Sequence, residues 1–242
     1  ATIMALFKPD PGDSKPLGTD LSLRVTEIFY SLQGESSWAG FPTVFVRLTG
    51  CPLRCSYCDT PYSFKGGSIQ SLPALMDEIK VYNSEYICVT GGEPLAQKNC
   101  IALLNQLCDK GYKVSLETSG AFDIADVDSR VKRVVDLKTP SSQESSKNRY
   151  ENIPLLQPHD EVKFVICNRK DFLWSVEIIN RHQLYDRVDN ILFSPVFDVE
   201  GVTQRKDDFT EQLLAQWILD SGLSVRMQIQ MHKLIWGDES GR

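Results

Sequence analysis

Short apolar runs rich in β-branched residues alternate with stretches of helical spacing along most of this chain, and no other feature constrains its fold more. Strands that alternate with helices predict βα units and a parallel sheet, with ligands at the carboxyl ends of the strands. The predicted strands are Thr43–Leu48, Tyr86–Thr90, Lys113–Glu117, Arg133–Leu137, Glu161–Ile166, Asn190–Phe193 and Ser224–Ile229. The predicted helices have apolar positions within residues 72–79, 101–108, 172–183 and 213–218.

The length of the chain limits this alternation to an incomplete barrel. Eight βα units need about 250 residues, whereas this chain has 242, and its polar stretches Thr139–Pro158 and Asp198–Asp208 predict long loops. We therefore expect an α/β fold: a partial TIM-type barrel of parallel strands with outer helices and the active site at the C-terminal ends of the strands. Residues 1–23 predict an irregular N-terminal extension, and residues 24–242 a single domain.

Three cysteines lie within eight residues, directly after the first predicted strand. Cys51, Cys55 and Cys58 form a C-x3-C-x2-C segment. Structural zinc sites and most iron–sulfur clusters use four protein ligands, so three thiolates are one short of a closed site. The spacing favours an iron–sulfur cluster in which one iron is open to a ligand that is not protein. An open iron indicates catalysis at the metal.

Two other interpretations of the triplet stay open, a structural zinc site and cysteines without a metal. Zinc would need a fourth Cys or His nearby, whereas His159, His182 and His232 are all distant in sequence. Disulfides are not expected, because the cysteine count of seven is odd and no segment resembles a signal peptide. Free thiols together with a cluster predict a reducing compartment, the cytoplasm.

Charge and hydropathy argue against nucleic acids and membranes as partners. The formal net charge is −6, and no cluster of Lys and Arg marks a nucleic-acid surface. No apolar run approaches the length that spans a bilayer. We expect a protein that binds neither nucleic acid nor membranes.

Polar and glycine-rich segments follow successive predicted strands. Thr90 and the Gly91-Gly92-Glu93-Pro94 segment come after the second strand, and Glu117 ends the third. Lys138 follows the fourth strand, while Lys163 and Ser194 lie in or after the next two. In a parallel sheet these segments meet at the same edge as the cysteine loop. Because glycine has no Cβ, Gly91 and Gly92 allow the backbone to approach a ligand closely.

The cysteine motif, with Tyr57 before its third Cys, and the Gly-Gly-Glu-Pro segment resemble the radical S-adenosylmethionine superfamily. The resemblance implies that Cys51, Cys55 and Cys58 bind a 4Fe-4S cluster whose open iron is chelated by S-adenosylmethionine. The reduced cluster then cleaves this molecule to a 5′-deoxyadenosyl radical. It also implies a set of residues around S-adenosylmethionine: Tyr57, Cys58, Asp59, Gly92, Glu117, Lys138, Lys163 and Ser194. For the two lysines a surface salt bridge, and for Asp59 a bond to nearby backbone N–H groups, stay open as structural alternatives.

A closer resemblance, to the 7-carboxy-7-deazaguanine synthase family, covers nearly the whole chain beyond the N-terminal segment. Its most discriminating piece is Leu32-Gln33-Gly34-Glu35, and it continues through the segment around Arg47, through Cys58-Asp59-Thr60 and to residues 230–237. The resemblance implies conversion of 6-carboxy-5,6,7,8-tetrahydropterin to 7-carboxy-7-deazaguanine with loss of ammonia. This radical ring contraction belongs to the biosynthesis of queuosine and related 7-deazapurines.

The same resemblance implies where substrate and magnesium bind. The implied pterin contacts are Leu32, Gln33, Gly34, Arg47, Thr90 and His232, and the implied Mg²⁺ ligand is Thr60. A guanidinium can hold a carboxylate with two parallel hydrogen bonds, although a structural salt bridge is the alternative for Arg47. One hydroxyl is a weak ligand, so the ion needs substrate oxygens and water as well. Without the resemblance, Thr60 is a turn or cap residue.

The resemblance further implies a homodimer that takes its electron from reduced flavodoxin or ferredoxin. Two other functions stay open: an activase that installs a glycyl radical on a partner protein, and a non-catalytic protein that binds zinc or a cluster. The Leu32–Glu35 segment favours the pterin enzyme over the activase. A non-catalytic protein would be colourless with zinc, or its cluster would not respond to S-adenosylmethionine.

Overall fold

The structure, a computed structural model, describes residues 21–197, 209–237, 239 and 241. The predicted loop Asp198–Asp208 and most of the predicted extension 1–23 lie outside the described residues. The described chain enters its first strand at Ser22, so residues 22 and 23 belong to the sheet rather than to an extension.

A single nine-stranded sheet in the order β3-β1-β2-β4-β5-β6-β7-β8-β9 forms the centre of the fold. From β2 onward neighbouring strands are parallel, whereas β1 pairs antiparallel with β2 and β3. The strands are β1 Ser22–Leu32, β2 Pro42–Leu48, β3 Ser68–Ser71, β4 Tyr86–Gly91, β5 Lys113–Thr118, β6 Lys132–Asp136, β7 Glu161–Ile166, β8 Asn190–Pro195 and β9 Arg226–Met227. Among the described residues, the edge strands β3 and β9 do not pair with each other, so the barrel is open.

Four helices of the described chain pack against this sheet: α1 Leu72–Val81, α2 Cys100–Asp109, α3 Arg169–Arg181 and α4 Glu211–Ser221. The short helix α5 Met231–Trp236 follows β9 and has no buried residue. Side-chain caps fix three of their starts, where Ser71, Asn168 and Thr210 accept hydrogen bonds from backbone N–H groups in the first turn. Strand residues such as Val46 and Val89 are fully buried, as expected for a parallel sheet covered by helices.

The predicted partial barrel is confirmed, with differences in detail. The strands β1 and β3 and the helix α5 were not predicted, and the predicted strand Ser224–Ile229 is reduced to the two residues of β9. The predicted loop Thr139–Pro158 contains three short 3-10 helices, at Pro140–Ser142, Ser145–Lys147 and Tyr150–Leu155. Proline and serine in this stretch favour such tight turns over a long crossover helix.

The connection between β1 and β2 contacts β7 and the segment that follows β9. Backbone N–H of Ser36 donates to Oε1 of Gln228, just after β9 (2.8 Å), and that of Ser37 donates to Oε1 of Glu161 at the start of β7 (3.0 Å). The carboxylate of Glu161 is buried and paired with Nζ of Lys132 at 2.9 Å. Side-chain hydrogen bonds thus join parts of the barrel that strand pairing leaves apart, and they fix the segment that contains Gln33 and Glu35.

Candidate active site

A cavity of about 260 Å³ lies at the C-terminal ends of the parallel strands, where the cysteine loop meets the polar segments that follow them. Every residue predicted for the site lines this cavity except Gly34. Those residues are Leu32, Gln33, Arg47, Cys51, Cys55, Tyr57, Cys58, Asp59, Thr60, Thr90, Gly92, Glu117, Lys138, Lys163, Ser194 and His232. The structure therefore brings together side chains that are up to 200 positions apart in the sequence.

The cysteine loop is held by its own backbone and by the segment after β6. The guanidinium of Arg54 donates from Nη1 to the carbonyl oxygens of Cys51 (2.7 Å) and Leu53 (2.6 Å). Ser56 donates from its backbone N to the carbonyl of Ser142 (3.1 Å) and from Oγ to that of Ser141 (2.6 Å). These contacts give the loop a defined shape around its three thiols.

All three thiols are free, and each lines the cavity. Burial raises the pKa of Cys51, and it raises the pKa of Cys55 to about 11, so a metal must displace the proton of each of these thiols. Within the described residues, no group of three His, Cys, Asp or Glu side chains is already arranged around a metal position. Three thiols are one donor short of a closed zinc site and fit a cluster with one open iron better.

Gly92 is where the end of β4 touches the cysteine loop. A Cβ on Gly92 would lie 2.3 Å from the carbonyl oxygen of Gly50 and 2.9 Å from Cβ of Cys51. The backbone N–H of Glu93 donates to that same Gly50 oxygen at 2.8 Å. The glycine is thus required for close packing of the loop against the strand end.

Glu93 holds the ends of β4 and β5 together. Its carboxylate is fully buried and accepts hydrogen bonds from the hydroxyl of Thr118 (2.9 Å) and from both N (2.8 Å) and Oγ (2.5 Å) of Ser119. It also accepts from the backbone N–H of Leu95 at 3.0 Å. Sequence analysis assigned this residue no role, because its partners follow a different strand.

The two predicted lysines form buried salt bridges rather than surface ones. Nζ of Lys138 lies 2.9 Å from Oδ2 of Asp136, and Nζ of Lys163 lies 2.5 Å from Oε2 of Glu35. Burial favours the neutral amines, but the neighbouring carboxylates prevail and raise the pKa of both lysines. Oδ1 of Asp136 is buried and has no hydrogen-bond partner among the described residues. Because Asp136 lines the cavity, a ligand with N–H or O–H donors would satisfy this oxygen.

Arg47 forms a salt bridge, which is the structural alternative that sequence analysis gave for it. Its Nε donates to Oε1 of Glu27 at 2.7 Å, and the hydroxyl of Tyr62 donates to the same oxygen at 2.8 Å. Burial favours the neutral form, but Tyr62 and Glu27 raise the pKa of Arg47. The salt bridge occupies the Nε position and orients the guanidinium, which also lines the cavity.

Thr60 precedes the 3-10 turn Pro61–Phe64, in the position of a cap residue, but its hydroxyl makes no capping hydrogen bond. Its Oγ1 is 4.0 Å from Sγ of Cys58.

Thr90, at the end of β4, is hydrogen-bonded to Glu117 of β5. The hydroxyl of Thr90 donates to Oε2 of Glu117 at 3.2 Å. Burial, and then the negative charge of Glu35, raise the pKa of Glu117.

Comparison with known proteins decides the family. Residues 45–202 match the sequence profile of the Radical SAM superfamily. The 7-carboxy-7-deazaguanine synthase of Koribacter versatilis is 42% identical over 223 residues, which cover 90% of this chain and 99% of that protein. The chain belongs to the 7-carboxy-7-deazaguanine synthase family. The synthase of Chlorobaculum tepidum is 39% identical, with 93% of this chain and 99% of that protein covered.

The fold agrees with a solved structure. The crystal structure of QueE from Escherichia coli superimposes with a TM-score of 0.69 at 21% identity, and the match covers 87% of this chain and 95% of that one. The predicted membership of the synthase family is therefore confirmed by sequence, and the partial barrel by structure. No helix in the described part of the chain is both long and apolar enough to cross a membrane.

Glu35 is a buried residue of the cavity lining to which sequence analysis assigned no role. Besides Lys163, its carboxylate accepts from Nε2 of Gln230 (2.6 Å) and of Gln228 (3.4 Å). Burial alone would raise the pKa of Glu35, but the charge and hydrogen bond of Lys163 prevail and lower it to about 2. Glu35 was visible in the sequence as the last residue of the Leu-Gln-Gly-Glu segment, but its partners lie far along the chain.

Because the pKa of Glu35 is lower in the folded chain than its ordinary value of 4.5, Glu35 stabilises the fold above pH 4.5. That contribution, roughly 3 kcal/mol, is lost as the pH falls from 4.5 toward 2. Urea unfolding of wild type and of Glu35→Gln at pH 6 and pH 3.5 measures it. We expect the difference in unfolding free energy between the two proteins to shrink at the lower pH, and an unchanged difference would contradict this assignment.

Proposed function

We propose that this chain is a radical S-adenosylmethionine lyase that converts 6-carboxy-5,6,7,8-tetrahydropterin to 7-carboxy-7-deazaguanine with loss of ammonia. The observation that carries the proposal is one cavity lined both by the three free thiols and by Leu32 and Gln33 of the Leu-Gln-Gly-Glu segment. The thiols support a 4Fe-4S cluster, and the unsatisfied oxygen of Asp136 supports a polar ligand beside it.

The test is anaerobic reconstitution with iron and sulfide, followed by incubation with S-adenosylmethionine, a reductant and the carboxy-tetrahydropterin. Liquid chromatography with mass spectrometry should detect 7-carboxy-7-deazaguanine. Reductive cleavage of S-adenosylmethionine without this product would favour the activase, and failure to bind iron would favour the non-catalytic protein.

The proposed role of the chain is to orient the ligands and to exclude water. Cys51, Cys55 and Cys58 would hold the cluster, which together with S-adenosylmethionine would supply radical chemistry at C6 of the pterin. The salt bridges of Lys138 and Lys163 keep both side chains charged in a buried place, where they can hold ligand oxygens in fixed positions. Tyr57, Gly92 and Ser194 complete the lining on the proposed S-adenosylmethionine side.

Arg47 is proposed to bind the carboxylate of the pterin. Its Nε is anchored to Glu27, so the orientation of the guanidinium is fixed before the substrate binds. We expect Arg47→Ala to raise KM roughly 100-fold, because a charge-assisted pair in a desolvated site contributes about 3 kcal/mol. Arg47→Lys keeps the charge but not the fork and should recover little of this loss. An unchanged KM in both variants would leave Arg47 with a structural role only.

Thr60 is proposed to bind Mg²⁺ together with substrate oxygens and water. The support is a hydroxyl in the cavity lining that no capping bond occupies. We expect Thr60→Ala to shift the half-activating magnesium concentration upward by roughly tenfold, since one of about six ligands is lost. Thr60→Ser, which keeps the hydroxyl, is the matched control. Identical magnesium dependence of wild type and Thr60→Ala would remove Thr60 from the metal site.

The remaining proposals are supported by family membership. They are reduced flavodoxin or ferredoxin as electron donor, a homodimer, and a cytoplasmic location. Residues 24–242, together with the strand residues 22 and 23, are proposed as one domain, and support comes from a cavity whose lining extends from Phe29 to Gly241. Light scattering after size-exclusion chromatography tests the dimer, and a mass of one chain at micromolar concentration would contradict it.

A further inference from the structure

The segment that contains Gln228 and His232 docks on the turn that follows β1, and the closest approach is at Gly34. The backbone N–H of Met231 donates to the carbonyl oxygen of Gly34 at 3.0 Å. A Cβ on Gly34 would lie 1.9 Å from Nδ1 of His232, 2.8 Å from its Cγ and 2.9 Å from its backbone N. Real Cβ atoms do not approach other atoms this closely, so the imidazole occupies the space that any larger residue at position 34 would need.

A positive φ does not explain the glycine. The glycines with positive φ include Gly40 and Gly50, whereas Gly34 is not among them. Position 34 therefore lacks the left-handed conformation that favours glycine. What excludes a side chain here is the position of His232.

Contacts of two residues just before His232 hold its segment against the turn that follows β1. The carboxylate of Glu35 accepts from Nε2 of Gln230 (2.6 Å), and Gln228 accepts from the backbone N–H of Ser36 (2.8 Å). The two segments are thus fixed at the residues next to Gly34 and before His232. With these neighbours bonded in this way, the backbone of His232 stays close to Gly34, and its imidazole ring lies against the glycine.

His232 lines the cavity, and Gly34 leaves free the space that the imidazole of His232 fills. We propose that Gly34 is a positioning residue that seats the imidazole of His232 at the cavity. The kinetic consequence of this inference rests on the proposed function, but the seating of the ring does not.

A double-mutant cycle tests the kinetic consequence. We expect Gly34→Ala and His232→Ala each to lower kcat/KM by roughly 10- to 100-fold, because a displaced group of the site is lost to the reaction. The double variant should be close to His232→Ala alone, because without the ring the new Cβ keeps a single tight contact, 2.9 Å from the backbone N of residue 232. Losses that multiply would show that Gly34 affects the reaction by a route other than the His232 ring, and would overturn the proposal.

Hydrogen–deuterium exchange of the full chain tests the seating itself, without substrate. Gly34→Ala should raise exchange in the peptide that spans residues 228–236, and adding His232→Ala should lower it again. Leu234→Ala is the matched control, because this side chain on the same helix is 71% exposed and should change nothing. Unchanged exchange in Gly34→Ala overturns the proposal.

Two further outcomes are distinguishable. If the wild-type protein forms no product, the proposed function is wrong. The exchange experiment needs no substrate, so it still tests whether Gly34 seats the ring of His232. If Gly34→Ala does not fold, the folding of the Gly34→Ala/His232→Ala double variant tests the proposal instead. A folded double variant supports a clash with the His232 ring, and an unfolded one places the clash elsewhere and overturns the proposal.

Discussion

Replacing Gly92 with alanine is expected to prevent normal assembly of the cluster site and to lower kcat/KM at least 100-fold. The added Cβ would lie 2.3 Å from a backbone oxygen of Gly50 and 2.9 Å from Cβ of Cys51, so the cysteine loop must move away from the end of β4. A shift of about 1 Å in a site of this kind costs roughly 100-fold in rate. Iron content and the absorbance near 400 nm after anaerobic reconstitution measure the first effect, and steady-state kinetics the second.

The matched control for Gly92→Ala is Gly222→Ala, at a glycine after α4 with φ of +62°, where an added Cβ would have no other atom within 4 Å. It should cost about 1 kcal/mol of stability through backbone strain and leave the cluster intact. If Gly92→Ala binds iron and turns over like wild type, close packing of the loop on β4 is not required.

Replacing Glu93 with alanine is expected to destabilise the fold by about 3 kcal/mol or more. The change leaves the buried donors of Ser119 and Thr118 without their acceptor, and each unsatisfied buried donor costs roughly 1–3 kcal/mol. Glu93→Gln keeps one carbonyl oxygen and should lie between wild type and alanine. Denaturant unfolding of the full chain measures the free energy of unfolding for all three proteins.

An exposed glutamate supplies the control for this prediction. Glu78→Ala on α1 removes a solvent-exposed carboxylate and should change the free energy of unfolding by less than about 0.5 kcal/mol. Equal effects of Glu93→Ala and Glu78→Ala would show that the hydrogen bonds of Glu93 do not stabilise the join between β4 and β5.

The parallel strands could be predicted from the sequence because each is a short, largely buried, β-branched run between polar segments. Glu161–Ile166 is predicted and observed with the same bounds. By contrast, β1 mixes buried and exposed positions without a clean pattern, and β3 has only the four residues Ser68–Ser71. Their pairing depends on contacts with each other and with β2, and local sequence does not specify such contacts.

Site residues that belong to a chemical motif could be predicted from the sequence. Site residues whose role depends on contacts between distant segments could not. The thiols and Gly92 carry recognisable spacing, and the structure gathers them in one cavity. The buried bonds of Glu35 and Glu93 join segments separated by many residues, so no local pattern indicates them. For Lys138 and Lys163 the sequence alternative was a salt bridge at the surface, but both salt bridges are buried. Their partners are Asp136, at the end of a strand, and Glu35, in the β1–β2 connection, and both carboxylates are inside the site.

Electron paramagnetic resonance of the reduced, anaerobically reconstituted protein tests most directly whether Cys51, Cys55 and Cys58 leave one iron open. We predict the signal of one 4Fe-4S cluster per chain, and we predict that adding S-adenosylmethionine changes its g values. A signal that is the same with and without S-adenosylmethionine, or a protein that binds zinc and no iron under these conditions, would contradict the open coordination position.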